Sequence, residues 1–501
     1  MFIYEWRNSM LNSIALVIQQ KAKETPEQIA IIVGDQKCSY ASLAEYNRKA
    51  AKFLSQKGVK EGDRVVVEAD HILPYVYIWY GIQLLGATFV PVEKSTPSNR
   101  IKEIAEELDA NTVITLSARE DLPKAWSLAD IMPEIESQAD DFIPCEPNQD
   151  SLAEILFTTG TTGKSKGVMV SYSNQINIAL AGIETTNIKS DNVWLIPTPM
   201  NHAAGLRKVH IAMAVGSTAC LLEGFRNFKQ YFNTIEEHKV TSLYLPPSAI
   251  HLLLAVASKD LQKLNGQLRF IYSSSTAYPE TDKEKMRNLL PDVYMYNCFG
   301  CSEAGVVCTD EFCISGGSKY TGSVGKPNSL SEIVILDDDG NEIKDSSPEK
   351  TGLCAIRSKS VMQGYWNEPE QTAKALKNGM LVMSDICYFA PNGELILVGR
   401  SNDTINLGGL KVAPVEVEDV VMRADCVDEC LLIPITVAGN TALKLLVVLK
   451  EGYELDQKAI RDIIGANLEP YKQPKQIVVI DEIIKTFNGK IDRKQMISKY
   501  S

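Results

Sequence analysis

The sequence reads Phe157-Thr-Thr-Gly-Thr-Thr-Gly-Lys-Ser-Lys-Gly-Val168 at the end of the apolar run Ile155-Leu156-Phe157. Its three glycines let the backbone bend and bring N–H groups close to an anion. Threonine hydroxyls add hydrogen-bond donors, and Lys166 supplies a positive charge. The pattern predicts a loop that holds phosphate, and therefore a protein that handles a nucleotide.

The Walker A pattern G-x-x-x-x-G-K-[ST] requires glycine at position 158, where this chain has Thr158, so that pattern does not match. The loop instead resembles the T-[ST]-G-T-T-G-x-P-K-G signature of the adenylate-forming (AMP-binding) superfamily. This superfamily includes acyl-CoA synthetases, the adenylation domains of peptide synthetases, and luciferases. One departure is Ser165, where the family usually has proline. The alternative interpretation is a flexible Gly/Thr surface loop, which the ordered match to eight specified positions of this ten-position signature disfavours.

Bulk composition limits the function classes. A chain of 501 residues exceeds what one core normally supports, so at least two domains are expected. The formal net charge of −12 disfavours a general nucleic-acid surface, which would need a basic patch. Small-molecule chemistry fits this composition better.

Two stretches raise the question of targeting or membrane insertion. The N-terminus lacks a cationic start followed by an apolar core, so it does not resemble a secretory signal, and we expect a cytoplasmic location. The stretch 72–92 carries no charged side chain and is long enough to span a membrane. Prolines and glycine interrupt it, so we predict a buried helix that turns into a core strand, and no membrane span.

Eleven cysteines are scattered along the chain, which is consistent with reduced thiols in a cytosol. Cys298, Cys301, Cys308 and Cys313 are spaced in a way that leaves a zinc or iron–sulfur site open as an alternative. The first pair lies inside another motif, described below.

Short β-rich runs alternate with helical stretches from about residue 110 to 300. Such alternation predicts an α/β fold with doubly wound, mainly parallel sheets, whose ligands bind at the carboxyl ends of strands. The predicted strands are 112–116, 155–159, 193–197, 218–222, 242–245, 268–272 and 293–297.

The pattern changes after about residue 318. Turn signals at Asp338-Asp-Gly-Asn341 and Pro391-Asn-Gly393 predict a small β-rich subdomain over about 318–400. A new α+β unit begins after Arg400, with predicted helices near 414–424, 456–468 and 490–498 and strands near 428–434, 442–449 and 476–480. The division resembles the large N-terminal domain (1–400) and the small mobile C-terminal domain (401–501) of the superfamily, with a hinge near Asn402.

The resemblance implies a nucleotide site. Asn297-Cys-Phe-Gly-Cys-Ser-Glu303 is similar to the family's N-x-Y-G-x-T-E, which implies that Glu303 binds magnesium, Phe299 packs on adenine and Ser302 meets the α-phosphate, with Gly300 between them. One carboxylate plus phosphate oxygens and water suits Mg²⁺. Ser274 and Ser275 occupy a turn that lies against adenine in relatives. The loop residues implied in phosphate binding are Thr158, Thr159, Gly160, Thr161, Thr162, Gly163 and Lys166.

Two further pairs resemble ribose and catalytic motifs. Ser384-Asp385 and Gly399-Arg400 are similar to the family's T-G-D and G-R, which implies that Asp385 accepts from ribose hydroxyls and Arg400 contacts the nucleotide. A surface ion pair is the alternative for Arg400. The segment 486–493 resembles the family's C-terminal t-x-x-G-K-i-x-R, whose lysine implies a catalytic role for Lys490.

The acid pocket is suggested by Pro199-Met-Asn-His-Ala-Ala-Gly-Leu206, which resembles the P-x-x-H-x-x-G-L form of acyl- and aryl-CoA synthetases. His202 is a candidate catalytic or pocket-shaping residue, and a buried, hydrogen-bonded histidine is the alternative. Gly408 and Gly409 belong to a loop that the resemblance places beside the thiol channel.

Together these motifs imply ATP- and Mg²⁺-dependent adenylation of a carboxylic acid, followed by transfer to coenzyme A or to the pantetheine of an acyl or peptidyl carrier protein. Alternatives are a stand-alone amino-acid or aryl-acid adenylating enzyme and a noncatalytic nucleotide-binding protein.

Overall fold

The computed structural model describes residues 12–501 except 160–164, 226, 277, 402, 408–409, 438–439 and 487–490, and only the backbone of Thr159, Lys411 and Asn440. Two large sheets dominate the part before residue 330. The first has nine described strands, of which the central six are parallel and the edges antiparallel. In spatial order these are Lys326–Pro327, Gly305–Glu311, Tyr294–Cys301, Phe270–Ser273, Ser242–Tyr244, Val193–Ile196, Thr218–Leu221, Ile29–Val33 and Gln36–Ser39.

The second sheet has seven described strands and carries the glycine- and threonine-rich stretch. Five of its strands are parallel to one another, Ser165–Ser171 is antiparallel to its neighbour Leu152–Thr159, and Gly364–Tyr365 is antiparallel to Ser165–Ser171. In spatial order they are Gly364–Tyr365, Ser165–Ser171, Leu152–Thr159, Thr88–Glu93, Arg64–Ala69, Thr112–Thr115 and Trp126–Ser127.

Helices cover both sheets. The helix Tyr172–Thr186 shows how the sequence sets its ends: Ser171 and Asn174 form a reciprocal capping box, and the helix stops at Asn187, whose φ is +48°. The described helices are Ile14–Glu24, Tyr40–Gln56, Leu73–Leu84, Ser98–Glu107, Leu128–Glu136, Tyr172–Thr186, Ala203–Val215, Phe228–Glu237, Pro247–Val256, Ser258–Gln262, Glu280–Leu289, Pro369–Ala375, Pro414–Val421, Gln457–Asn467 and Arg493–Tyr500, with a 3₁₀ turn at Pro470–Lys472.

A third sheet forms the β-rich region. Its five described strands are antiparallel and comprise Ser331–Leu336, Gly352–Ser358, Leu376–Lys377, Met380–Phe389 and Leu395–Arg400. The predicted turns contain Gly340 and Gly393, whose φ values of +84° and +83° suit glycine. One helix, Pro369–Ala375, interrupts this region.

The C-terminal segment forms separate small sheets. Ile405–Leu407 pairs with Leu410–Val412, while Val427–Val437, Asn440–Leu449 and Gln476–Val479 form a three-stranded sheet. The last helix begins at Arg493 and not near residue 490, because the side chain of Asp492 caps it by accepting from Gln495 N–H. The domain boundary and the hinge stay predictions, and Asn402 lies outside the described residues.

The predicted fold class is confirmed, and the stretch 72–92 behaves as expected. Leu73–Leu84 is a helix buried on nearly all sides, followed by the core strand Thr88–Glu93. Trp79 and Phe89 stack at 5.3 Å within this core. Among the described helices, none combines the length and apolar character needed to cross a membrane.

Candidate functional site

One cavity of about 1210 Å³ lies where the two large sheets, the β-rich region and the C-terminal segment meet. Eleven of the predicted site residues line it: Thr158, Lys166, His202, Ser274, Ser275, Phe299, Gly300, Ser302, Glu303, Asp385 and Arg400. Outside the described residues lie Gly160, Thr161, Thr162, Gly163, Gly408, Gly409 and Lys490, as does the side chain of Thr159. The individual roles of all these residues stay predictions.

The described residues of the glycine- and threonine-rich stretch belong to two antiparallel strands, Leu152–Thr159 and Ser165–Ser171, which are called the hairpin below. Thr158 pairs with Lys166 and Phe157 with Gly167 across the two strands, so 165–167 belong to a strand and not to the predicted loop. Packing favours glycine at position 167, because a Cβ there would lie 2.9 Å from Ile155 Cγ2. Thr158 and Lys166, near the described ends of the two strands, line the cavity.

Lys166 and Glu303 are connected through Tyr365. The Lys166 ammonium lies 5.0 Å from the centre of the Tyr365 ring and donates to Gln371 Oε1 at 3.1 Å. The Tyr365 hydroxyl donates to Glu303 Oε1 at 2.9 Å. Tyr365 is not among the site residues that the motifs predict, and it is held here because Gly364–Tyr365 adds as an edge strand to Ser165–Ser171.

Phe299 and Gly300 lie in a hairpin between Tyr294–Cys301 and Gly305–Glu311, with a register shift at this point. A Cβ on Gly300 would lie 1.9 Å from the carbonyl oxygen of Gly305, so only glycine fits this crossing. The hairpin turns at residues 302–304, which places Ser302 and Glu303 at the cavity.

Ser274 and Ser275 follow the strand Phe270–Ser273. Both hydroxyls hydrogen-bond the hydroxyl of Tyr244, at 3.3 and 3.0 Å. Ser275 has a φ of +93°, a conformation that glycine adopts more easily. This strained turn fixes the backbone at the end of the sheet.

Asp385 and Arg400 are directly paired in register on neighbouring strands. Arg400 Nε donates to Asp385 Oδ1 at 3.2 Å, and Asp385 is buried while Arg400 is exposed. The ion pair raised as an alternative for Arg400 is therefore present, and it lies at the cavity.

His202 precedes the helix Ala203–Val215 and lines the cavity. The same helix carries Arg207, which is buried and paired with Glu154 on the second sheet. His210 Nε2 lies 3.2 Å from the other oxygen of Glu154. Burial alone would raise the pKa of Glu154, but Arg207 and His210 lower it to about 2.

The C-terminal segment closes one side of the cavity with Asp428, Glu429, Lys485 and Thr486. Lys485 donates to Glu429 Oε1 at 2.6 Å. Thr486 is the first residue of the predicted catalytic motif, so the described start of that motif reaches the site. These contacts join residues far apart in sequence, which motif matching alone does not predict.

The four cysteines raised as a metal-site alternative do not form a ligand cluster among the described residues. Within that part of the chain, the group with suitable ligand atoms within 4.8 Å of one another is His251, Asp428 and Glu429. Cys298 and Cys308 instead face Thr309 and Phe299 across a hairpin. Burial raises the pKa of the Cys298 thiol to about 12, so it stays protonated.

The donor set fits a magnesium nucleotide. Glu303 offers a carboxylate oxygen, which Mg²⁺ prefers, and Lys166 offers a cation beside the Tyr365 ring, whose hydroxyl bonds that carboxylate. Asp385 offers acceptors for a diol, and the cavity volume exceeds that of a typical small-ligand pocket. These residues therefore fit a nucleoside triphosphate together with a second small substrate.

Comparison with known proteins agrees with this geometry. Residues 18–366 match the family model of AMP-binding enzymes, and residues 416–490 match the model of the AMP-binding enzyme C-terminal domain. The chain is 26% identical to a 2-succinylbenzoate–CoA ligase from Geobacillus sp. (strain WCH70), covering 97% of this chain and 98% of that protein. It is 24% identical to bacitracin synthase 3 from Bacillus licheniformis, covering 99% of this chain but only 8% of that protein.

A solved structure with the same fold is ATP-bound MatB from Rhodopseudomonas palustris. The TM-score is 0.87 at 20% identity, covering 97% of this chain and 99% of that chain. The family models together account for most of the sequence, including the hairpin and residues 416–490 of the C-terminal segment. The chain belongs to the family of AMP-binding enzymes.

Proposed function

We propose that this protein adenylates a carboxylic acid with ATP and then transfers the acyl group to the thiol of coenzyme A. The observation that carries the proposal is the single cavity that joins the hairpin, Glu303, the Asp385–Arg400 pair and the start of the C-terminal motif. The match to a CoA ligase over nearly the full length of both chains supports coenzyme A as the acceptor.

The chemistry requires alignment and charge stabilisation. In the first step a carboxylate oxygen attacks the α-phosphorus of ATP, a new P–O bond forms, and pyrophosphate leaves with the electron pair of the broken bond. We assign phosphate contacts to the hairpin and Lys166, ribose contacts to Asp385, and the α-phosphate and acid carboxylate to Lys490. In the second step the thiol sulfur attacks the acyl carbon, a C–S bond forms, the bond from that carbon to the phosphate oxygen breaks, and AMP leaves while the thiol proton passes to solvent.

Magnesium belongs to the proposal through Glu303. When bound, the ion neutralises negative charge on the phosphate oxygens. Tyr365 orients the Glu303 carboxylate, because its hydroxyl donates a 2.9 Å hydrogen bond to Oε1 and so fixes the position of that oxygen. A cytoplasmic location is also proposed, because a reducing compartment suits the scattered cysteines.

The second candidate acceptor is the pantetheine of a carrier protein. The similarity to bacitracin synthase 3 favours it, although the matched region makes up only 8% of that relative. A stand-alone amino-acid or aryl-acid adenylating enzyme would also carry out the first step, adenylation of the acid. A noncatalytic nucleotide-binding protein would bind the nucleotide without adenylating an acid.

Acid-dependent exchange of labelled pyrophosphate into ATP tests the first step. We expect exchange with one class in a panel of fatty, aryl, dicarboxylic and amino acids. Adding coenzyme A or a phosphopantetheinylated carrier protein to the same reaction then identifies the acceptor by product mass. Measurable ATP binding with no exchange for any acid would contradict adenylation.

A further inference from the structure

Lys208 is a buried cation in the wall of the cavity. It lies on the helix Ala203–Val215, one residue after Arg207, and only 4% of its surface is exposed. Its ammonium lies 4.5 Å from the centre of the Tyr244 ring and 4.3 Å from the centre of the Tyr272 ring. Both rings also line the cavity, so the ammonium is placed between the helix and the end of the first sheet.

No carboxylate of the described residues forms an ion pair with Lys208. Two other buried lysines provide a contrast: Lys283 lies 2.8 Å from Glu280, and Lys472 lies 2.7 Å from Glu416. Burial lowers the pKa of Lys208 to about 7, and the neighbouring Arg207 acts in the same direction. A buried amine without an anion is costly, and in a cleft it indicates a ligand site.

The surroundings of Lys208 are polar but not anionic. Tyr244 hydrogen-bonds Ser274 and Ser275, and Cys298 is a protonated thiol. Arg207 lines the same cavity, and its buried Nε and Nη2 have no hydrogen-bond partner among the described residues. The negative charge of Glu154 is already shared by Arg207 and His210. This part of the wall therefore presents the Lys208 amine and two Arg207 N–H groups, none of which has an anionic or hydrogen-bonding partner among the described residues.

We propose that the acid substrate carries a second carboxylate, which Lys208 binds in the cavity wall beside Tyr244 and Tyr272 while the first carboxylate is adenylated. The proposal rests on the proposed function and adds the substrate class, a dicarboxylic acid. The aromatic rings hold the ammonium, and the arriving carboxylate supplies the missing anion. An α-amino acid is disfavoured, because its ammonium would gain no partner from Lys208.

The test compares dicarboxylic acids with monocarboxylic acids in which a methyl group replaces the second carboxylate, at each of several chain lengths. We expect the unmodified protein to favour a diacid over its methyl counterpart by at least about 10²-fold in kcat/KM for pyrophosphate exchange. Lys208→Met should lower kcat/KM for the diacid at least about 10²-fold, mainly through KM, and change the value for the methyl counterpart less than about threefold.

Lys283→Met is the matched control, because it removes an equally buried lysine that does not line the cavity. Its acid preference should equal that of the unmodified protein. Equal use of both acids by the unmodified protein, or an unchanged preference in Lys208→Met, would overturn the proposal.

Calorimetric binding of the same acids without ATP separates this inference from the proposed function. Diacid binding that depends on Lys208 in the absence of any pyrophosphate exchange would support the site and reject adenylation. Exchange with monocarboxylic acids, together with no diacid binding, would support adenylation and reject the site. The calorimeter should also record proton uptake on diacid binding near pH 7, since the carboxylate favours the charged amine.

Discussion

Lys208 holds its proton more weakly in the folded chain than in the unfolded chain. Its pKa falls from 10.5 to about 7 because burial disfavours the charged amine. Below pH 7 the amine is charged in both states, and the folded state bears the full cost of burying it. As pH rises from 7 to 10.5 the unfolded chain binds more protons, so the free energy of unfolding rises with pH.

We expect Lys208→Met to raise the free energy of unfolding by ~1–4 kcal/mol below pH 7, because an unpaired buried charge is replaced by a side chain of similar shape. The gain should shrink between pH 7 and pH 10.5, where the folded lysine is already neutral. Urea denaturation at a series of pH values measures this difference. A gain that stays constant across this range would contradict the assigned pKa.

The second prediction at this scale concerns Lys490, which motif resemblance alone identifies. Lys490→Ala should leave ATP binding largely intact and slow adenylation at least on the order of 10²-fold, as expected for loss of one positioned charge. Lys494→Ala, on the following helix, is the control. Pyrophosphate exchange and equilibrium ATP binding measure the two effects separately, and unchanged exchange in Lys490→Ala would refute its role.

At the scale of elements, the helix Ala203–Val215 is fixed to the second sheet by a buried charge group. Arg207 and His210 lie one turn apart and both reach Glu154 on the strand Leu152–Thr159. Gln175 donates to the same carboxylate at 3.3 Å. Since Glu154 is fully buried, its charge is stable only while these partners remain.

Arg207→Met should therefore lower the free energy of unfolding by ~3–5 kcal/mol, because the buried Glu154 carboxylate loses its principal cation. The double variant Arg207→Met/Glu154→Gln should recover most of the loss. A double-mutant cycle in urea at pH 7 gives the coupling energy. If the losses in free energy of unfolding from the two single substitutions simply add in the double variant, the Arg207–Glu154 pair is not the cause of the loss in Arg207→Met.

Several elements were predictable from local sequence, and their partners were not. The strands at 193–197 and 218–222 follow from short apolar runs between turn signals, and both are confirmed to within one residue. The addition of Gly364–Tyr365 to the hairpin depends on contacts across about 200 residues, which periodicity does not contain. The site shows the same limit: Glu303 follows from a motif, whereas Arg207 and Lys208 resemble ordinary surface charges until the helix is seen to be buried all round.

For the whole molecule, the C-terminal segment contacts the rest of the chain through titratable groups. His251, on the helix Pro247–Val256, lies 2.9 Å from Asp282 and 3.5 Å from Asp428 on the C-terminal strand Val427–Val437. The hydrogen bond to Asp282 raises the pKa of His251 against the effect of burial, and Asp428 and Glu429 add to the rise.

Folding raises the pKa of His251, so protonated His251 stabilises the folded state. This stabilisation is complete below the unfolded pKa of 6.5 and is lost as pH rises through the folded pKa. We expect the C-terminal segment to become more accessible to protease as pH rises above 6.5 and through the raised folded pKa of His251. His251→Gln and Asp428→Asn should each reduce this pH dependence. An equal pH dependence in both variants and in the unmodified protein would exclude this contact as its origin.

The segment 362–366 has a consequence for synthesis of the protein. Met362 donates its backbone N–H to Glu303, Gln363 donates to Met169, and Trp366 donates to Gly167. The hairpin and Glu303 are thus joined by residues that leave the ribosome about 200 and 60 residues later, respectively. A nascent chain that ends before residue 362 already contains the glycine- and threonine-rich motif but lacks the strand that joins it to Glu303. The proposed nucleotide site is therefore completed only late in translation.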